Sequence, residues 1–315
     1  MNIFINDKEQ RLRAGWRLLI QFILMFLFVG FGIMGVQQIL ADPLMVYTTI
    51  PQFLGIILSV WFAAKLLDKR SFFDYGINFD KEWLKDFFTG CLIAAISIST
   101  IFIIQWSLGW ITIVEYGWET ELETPFFTGI ISFFIAMLMV GFHEELLSRG
   151  YQLLNITEGL TYPAFGLNGA LIIAILLTSS LFGFMHFFNP NASFISTFNI
   201  ILAGIVLAVP YVLTGSLGLS VGLHFSWNFV MAGILGFPVS GKNIEFSILQ
   251  IQQSGADFFT GGAFGPEAGI LGLLGMTIML GGSLVYIKQS RRELHIDQLF
   301  IKDYQQTTKS DEQTA

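Results

Sequence analysis

Apolar stretches of about 20 residues recur from near the start of this chain almost to its end, and a helix of that length spans the hydrocarbon of a bilayer. About eight are predicted, at roughly 16–40, 46–67, 87–113, 128–157, 169–188, 197–214, 217–236 and 267–287. Composition agrees. Hydrophobic residues make up 54% of the 315, and charged residues 12%, about half the usual share for a water-soluble domain. Too few polar groups exist to cover a soluble fold of this size, so an ordinary soluble enzyme and a disordered chain are both excluded. A net charge of −7 argues against a nucleic-acid partner. The single cysteine, Cys91, excludes an internal disulfide framework and a CxxC metal site. The expected fold is all-α: a multi-pass protein of the cell (cytoplasmic) membrane, with the lipid bilayer as its constant partner.

Charge distribution orients the spans. With the N-terminus in the cytoplasm, eight crossings place all but Lys242 of the 16 basic residues in cytoplasmic segments or the inner half of span four. The loop after span three carries Glu115, Glu119, Glu121 and Glu123 and no Lys or Arg. The bias of Lys and Arg toward cytoplasmic loops therefore supports an even number of crossings and two cytoplasmic termini. The first apolar run is too long for a signal-peptide core and reads as an uncleaved span. The chain divides into a three-span region (1–127), a four-span core (128–236), an external loop with the last span (237–287) and a cytoplasmic tail (288–315). Residues 304–315 read as a solvated tail. Gly218 and Gly222, and Gly269, Gly272 and Gly275, have the spacing of close helix packing in lipid.

Ionisable side chains inside such spans are costly and point to function. Span four carries Glu144, Glu145 and Arg149, span five ends at His186, and span seven holds His224 and Asn228. Measured from the cytoplasmic ends of their helices, Glu144 lies about 21 Å up, His186 about 25 Å, His224 about 14 Å and Asn228 about 20 Å. With boundaries loose by several residues, one layer of the membrane can hold all four. Glu145 and Arg149 are four residues apart and share a face, as do His224 and Asn228.

Two chemistries want this set. Glu144, His186 and His224 could bind Zn²⁺ and leave a position open for water, with a second carboxylate as base. Alternatively, a buried glutamate could activate water without metal. In either route Asn228 can donate its amide N–H to a developing oxyanion. Both routes are hydrolytic. No G-x-S-x-G occurs, Cys91 has no histidine nearby in sequence, and His143-Glu-Glu-Leu-Leu147 lacks the second histidine of an HExxH zinc site.

Glu-Glu-x-x-x-Arg at 144–149, Phe-x-x-x-His at 182–186 and His-x-x-x-Asn at 224–228 resemble, in order, the three motifs of the CAAX protease and bacteriocin-processing family. These intramembrane endopeptidases are related to the type II CAAX prenyl endopeptidase and to lysostaphin-resistance and abortive-infection proteins. The clear resemblance covers about 128–236. It implies that Glu144 activates water, that Glu145 is its partner, and that Arg149 positions the pair. It implies that His186 and His224 hold metal or stabilise the transition state, and that Asn228 is the further polar residue. It also implies a cavity opening toward the cytoplasm and a membrane-associated peptide or protein as substrate. Prenylated CAAX proteins, bacteriocins and signalling peptides are all open as that substrate. Zn²⁺ is the candidate cofactor, and the oligomeric state is open.

Blander readings stand beside these. Glu145 and Arg149 could be a structural ion pair, the histidines hydrogen-bonded core residues, and Asn228 helix glue. Phe182 reads as packing, His143 as turned about 100° away from Glu144, and His295 as solvated. Glu267, just after Pro266, reads as a cap on the last helix. Two other functions compete. One is a transporter or channel, since membrane carboxylates and histidines also relay protons and Gly262-Ala-Phe-Gly-Pro266 fits the GxFxP pattern of chloride channels. The other is a non-catalytic immunity or scaffold protein.

Overall fold

A computed structural model describes residues 2–40, 44–161 and 165–301. The predicted solvated tail at 304–315 lies outside them. A two-rung N-terminal hairpin pairs β1 (Ile5–Asn6) with β2 (Arg11–Leu12). Then come α1 (Ala14–Ile39), α2 (Met45–Phe62) with a π-helical extension Ala63–Asp68, and α3 (Lys81–Ser107). Helix α4 (Phe126–Glu145) passes through a π-helical stretch, Leu146–Leu153, into α5 (Leu154–Leu160). Next are α6 (Gly166–His186), α7 (Phe194–Thr214) and α8 (Gly218–Asn228), the last again running into a π-helical stretch, Phe229–Ile234. After a single turn, α9 (Asp257–Thr260), the long helix α10 (Ile270–Arg291) and the turn α11 (Gln298–Ile301) follow. The all-α membrane architecture holds. Among the described residues, seven helices are long and apolar enough to cross a membrane.

The remaining predicted span, 217–236, is α8 with its π-helical extension, and it differs in kind. All eleven residues of α8 are buried. Enclosed by other helices, it does not need the length or hydropathy that lipid demands, and it carries the polar Ser220, His224, Ser226 and Asn228. By contrast, α1 fully buries only Ala14, Arg17, Gln21 and Met25, a stripe at helical spacing, with Leu18, Phe22 and Val29 half-buried beside it, and leaves Ile23, Phe26 and Phe31 exposed.

Glycines bring α8 onto α3. A methyl group on Gly222 would sit 2.0 Å from the Phe87 carbonyl oxygen, one on Gly218 would sit 2.5 Å from that of Trp83, and one on Gly90 would sit 2.4 Å from that of Leu219. The Gly218/Gly222 pair is thus a packing device, as its spacing suggests. Gly222→Val is expected to lower the thermal midpoint in detergent sharply, through overpacking of about 1–3 kcal/mol or more. Gly30→Val, on the open face of α1 with no atom within 4 Å of the added carbon, should shift it little. Equal midpoints would overturn this account.

Side-chain contacts gather several helix ends at one end of the bundle. Arg17 pairs with Asp68, and Arg70 pairs with Glu158; Arg11 reaches Glu158 at 2.9 Å. Arg291 reaches Asp86 at 3.0 Å, and the Asp297 amide donates to the Val212 carbonyl at 2.9 Å. The start of α1 and the end of α10 therefore share this end, as even parity requires.

Two expectations change at the opposite end. Span three stops at Ser107 rather than 113, because Gly109 takes the left-handed conformation at φ 73°. The β-branched run after it forms β3 (Ile111–Tyr116) instead. The predicted loop 237–266 is not irregular throughout. It supplies β4 (Leu249–Gln253), antiparallel to β3 with a bulge between Ile113 and Glu115.

Candidate active site

Gly141 sets the approach of α4 to α8. A methyl group there would sit 2.9 Å from the Phe225 amide nitrogen, so only glycine lets the two backbones close up. One turn on, the glutamate pair meets α8. Glu145 is wholly buried, and its Oε1 accepts from Arg149 Nη1 at 2.9 Å and from His224 Nδ1 at 2.8 Å. Arg149 also donates Nη2 to the Gly204 carbonyl of α7 at 3.0 Å. The i, i+4 pairing read from the sequence is thus present, and it ties three helices together. A carboxylate that accepts from one imidazole nitrogen fixes the ring's orientation and presents the other. Here His224 Nε2 is presented, 3.7 Å from Glu144 Oε2.

Glu144 differs from its neighbour. Its side chain is 26% exposed where that of Glu145 is 0%, and the exposure is to an internal cavity. That cavity, of about 720 Å³, is lined by Glu144, His186, His224 and Asn228 together. Glu145 and Arg149 do not border it. The six predicted site residues thus divide into four at the cavity wall and two behind it.

Phe182 joins the two histidine motifs. Its ring centroid lies 4.7 Å from that of His186 and 5.9 Å from that of His224, and the Arg149 guanidinium sits over it at 4.5 Å. The packing role read for it holds. His186 donates Nδ1–H to the Phe182 carbonyl at 2.8 Å, so it too presents Nε2. His143 is buried and packs edge-on to Phe53 of α2, away from the cavity, as its helical phase requires.

Glu267 is where sequence reading fell short. It does not cap α10. Its carboxylate accepts from the Ser240 amide at 2.7 Å and the Ser240 hydroxyl at 3.0 Å, and it borders the cavity. Burial raises its pKa above the ordinary carboxylate value, and the Ser240 hydrogen bonds oppose that. Its position beside Pro266 suggested a helix start. The partner lies 27 residues back, so no local pattern could reveal it.

The surrounding segment is also not an anion cradle. The amides of Phe264, Gly265, Ala268 and Gly269 are all used within the turns themselves, as donors to carbonyls three residues earlier. Gly262–Pro266 therefore folds as tight turns on themselves, and of this segment it is Glu267 that borders the cavity.

A zinc ion would need at least three of these side chains converging on one point. Both histidines present Nε2 with Nδ1 anchored, which suits a metal ligand. Yet among the described residues no three His, Cys, Asp or Glu side chains gather closely enough to hold an ion. The expected Glu144, His186, His224 triad is therefore not gathered as a ligand set among the described residues.

No curated protein and no solved structure matches the chain. The stretch that holds all six predicted site residues does match a family model: residues 125–230, about a third of the chain, are similar to the family described as type II CAAX prenyl endopeptidase Rce1-like.

Proposed function

We propose that the protein is an intramembrane endopeptidase, hydrolysing a peptide bond in a membrane-associated protein or peptide. The observation that carries this reading is the division of labour between adjacent glutamates. Glu144 is open to the cavity, while Glu145 is sealed behind it, bonded to Arg149 and His224. Water held by Glu144 and His224 gives its proton to Glu144 as it attacks the scissile carbonyl. The oxyanion that forms lies beside Asn228, whose amide N–H can donate to it, in the space that His186 and His224 also border. Glu144 then returns the proton to the departing amine, and the C–N bond breaks. Glu145 and Arg149 are positioning residues: they hold the His224 ring so that Nε2 faces the water. The apolar wall, with Met137, Met185, Met276 and Met279, suits an extended peptide of varied side chains, since thioethers adapt in shape.

The direct test compares membrane peptides from cells making the wild type and Glu144→Ala. Peptides cut in the first and intact in the second identify the substrate; identical peptide profiles would count against the proposal. A second test addresses the metal. With the carboxylate as the water-activating group, cleavage is expected to persist in strong chelator, and purified protein to carry zinc well below one equivalent. Stoichiometric zinc that disappears in the His186→Ala, His224→Ala double variant would instead establish the zinc route.

A further inference from the structure

Helices α6 and α7 serve as rulers for where the cavity lies. Helix α6 runs from Gly166 to His186, a rise of about 30 Å. Its first residue lies at the end of the bundle that carries both termini, and its last is His186. Gly183, one turn before His186, packs against Thr197 and Ile201, within the first two turns of α7. His186 is therefore shallow with respect to the far end. The cavity continues in that direction, bordered by Asn189 of the 187–193 loop and by Ser240, Lys242 and Asn243 of the loop after α8. Lys242 and Asn243 are exposed. The mouth is thus at the end opposite the termini.

Charge identifies that end. The termini end holds Lys8, Arg11, Arg13, Arg17, Lys65, Lys69, Arg70, Lys81, Lys85, Lys288, Arg291 and Arg292. Across the bundle, Lys242 stands alone as a base among Glu115, Glu119, Glu121, Glu123, Glu245 and Asp257. Asymmetry of this size sets the basic end in the cytoplasm. The cytoplasmic termini expected from the charge distribution and the cytoplasmic cavity implied by the family resemblance do not fit together in this fold.

We propose that the cavity opens away from the cytoplasm and takes an extracytoplasmic peptide: a loop, tail or exported peptide lying at the outer surface, rather than a cytoplasmic C-terminus. The substrate half of this statement rests on the endopeptidase reading; the sidedness half does not. The test places single cysteines in a Cys91→Ala background, Asn243→Cys at the mouth and Asp7→Cys in the N-terminal hairpin. A membrane-impermeant sulfonated maleimide is added to intact spheroplasts. Asn243→Cys is expected to label at least tenfold more than Asp7→Cys, with the two equal after detergent. Preferential labelling of Asp7→Cys, or equal labelling of both in intact spheroplasts, overturns the proposal. So does protection of Asn243→Cys while a Glu121→Cys control on the acidic loop labels. Repeating the experiment with Glu144→Ala separates the two failures. A wrong peptidase reading leaves the labelling pattern intact, and a wrong orientation reverses it whether or not the protein cleaves.

Discussion

Glu144→Gln is expected to leave a folded, membrane-inserted protein whose cleavage rate has fallen by about 10²–10⁴, the usual contribution of a positioned general base. The exchange is nearly isosteric, so the cavity keeps its shape and substrate affinity should change little. Folding should not suffer either. One Glu144 carboxylate oxygen is buried without a hydrogen-bond partner, and making the group neutral removes a desolvated charge rather than a contact. The decisive reading is therefore a loss in kcat at near-constant KM and thermal midpoint. A Glu144→Gln protein that still cleaves at a tenth or more of the wild-type rate would remove Glu144 from the mechanism.

Arg149→Ala is expected to act in the opposite way, on folding first. It leaves Glu145 fully buried with no cationic partner and strips the Gly204 carbonyl of its donor. Breaking a buried pair on one side typically costs about 3–5 kcal/mol, a large fraction of the stability of most proteins. Adding Glu145→Gln to Arg149→Ala should recover much of the folding, because no uncompensated charge remains. It should not recover activity, because His224 then lacks the carboxylate that fixes its ring. Arg149→Lys should rescue only in part, since an ammonium cannot span Glu145 and Gly204 as the guanidinium fork does. Thermal unfolding in detergent of the wild type, Arg149→Ala, Glu145→Gln and the double variant provides the cycle. Equal midpoints for Arg149→Ala and the double variant would show that the pair is not coupled.

What could be read in advance follows from the range of the interactions involved. The spans were legible because lipid imposes a length and an apolar composition on each helix independently. The pairing of Glu145 with Arg149, and the closeness of Gly218 and Gly222 to a neighbour, were legible because helical periodicity places those residues on one face. Helix α8 was harder to read correctly: nothing local says that it is enclosed by its neighbours rather than by lipid. The separate duties of Glu144 and Glu145 were not legible either. Adjacent residues point about 100° apart on a helix, but which one meets a cavity depends on how α4 docks, and Gly141 decides that through a contact with Phe225. Glu267 lay further still from view, since its partner Ser240 is in another loop. The proposed sidedness of the cavity needs helix depth, which only the fold supplies, beside the charge asymmetry already present in the sequence.

The ionic knot of Arg11, Arg17, Asp68, Arg70 and Glu158 constrains the order in which the protein can be made. Helix α1 and the hairpin before it leave the ribosome first, yet the acids that receive Arg17 and Arg11 come from residues 68 and 158. Asp68 and Ser59, which meet Arg17 and Gln21, come with the second crossing, so α1 has those partners early. Until the fourth crossing has been synthesised, Glu158 does not exist. The knot itself closes only when Glu158 arrives, about half-way along the chain, so the last bonds to the N-terminal segment are made late even though that segment comes first in the sequence.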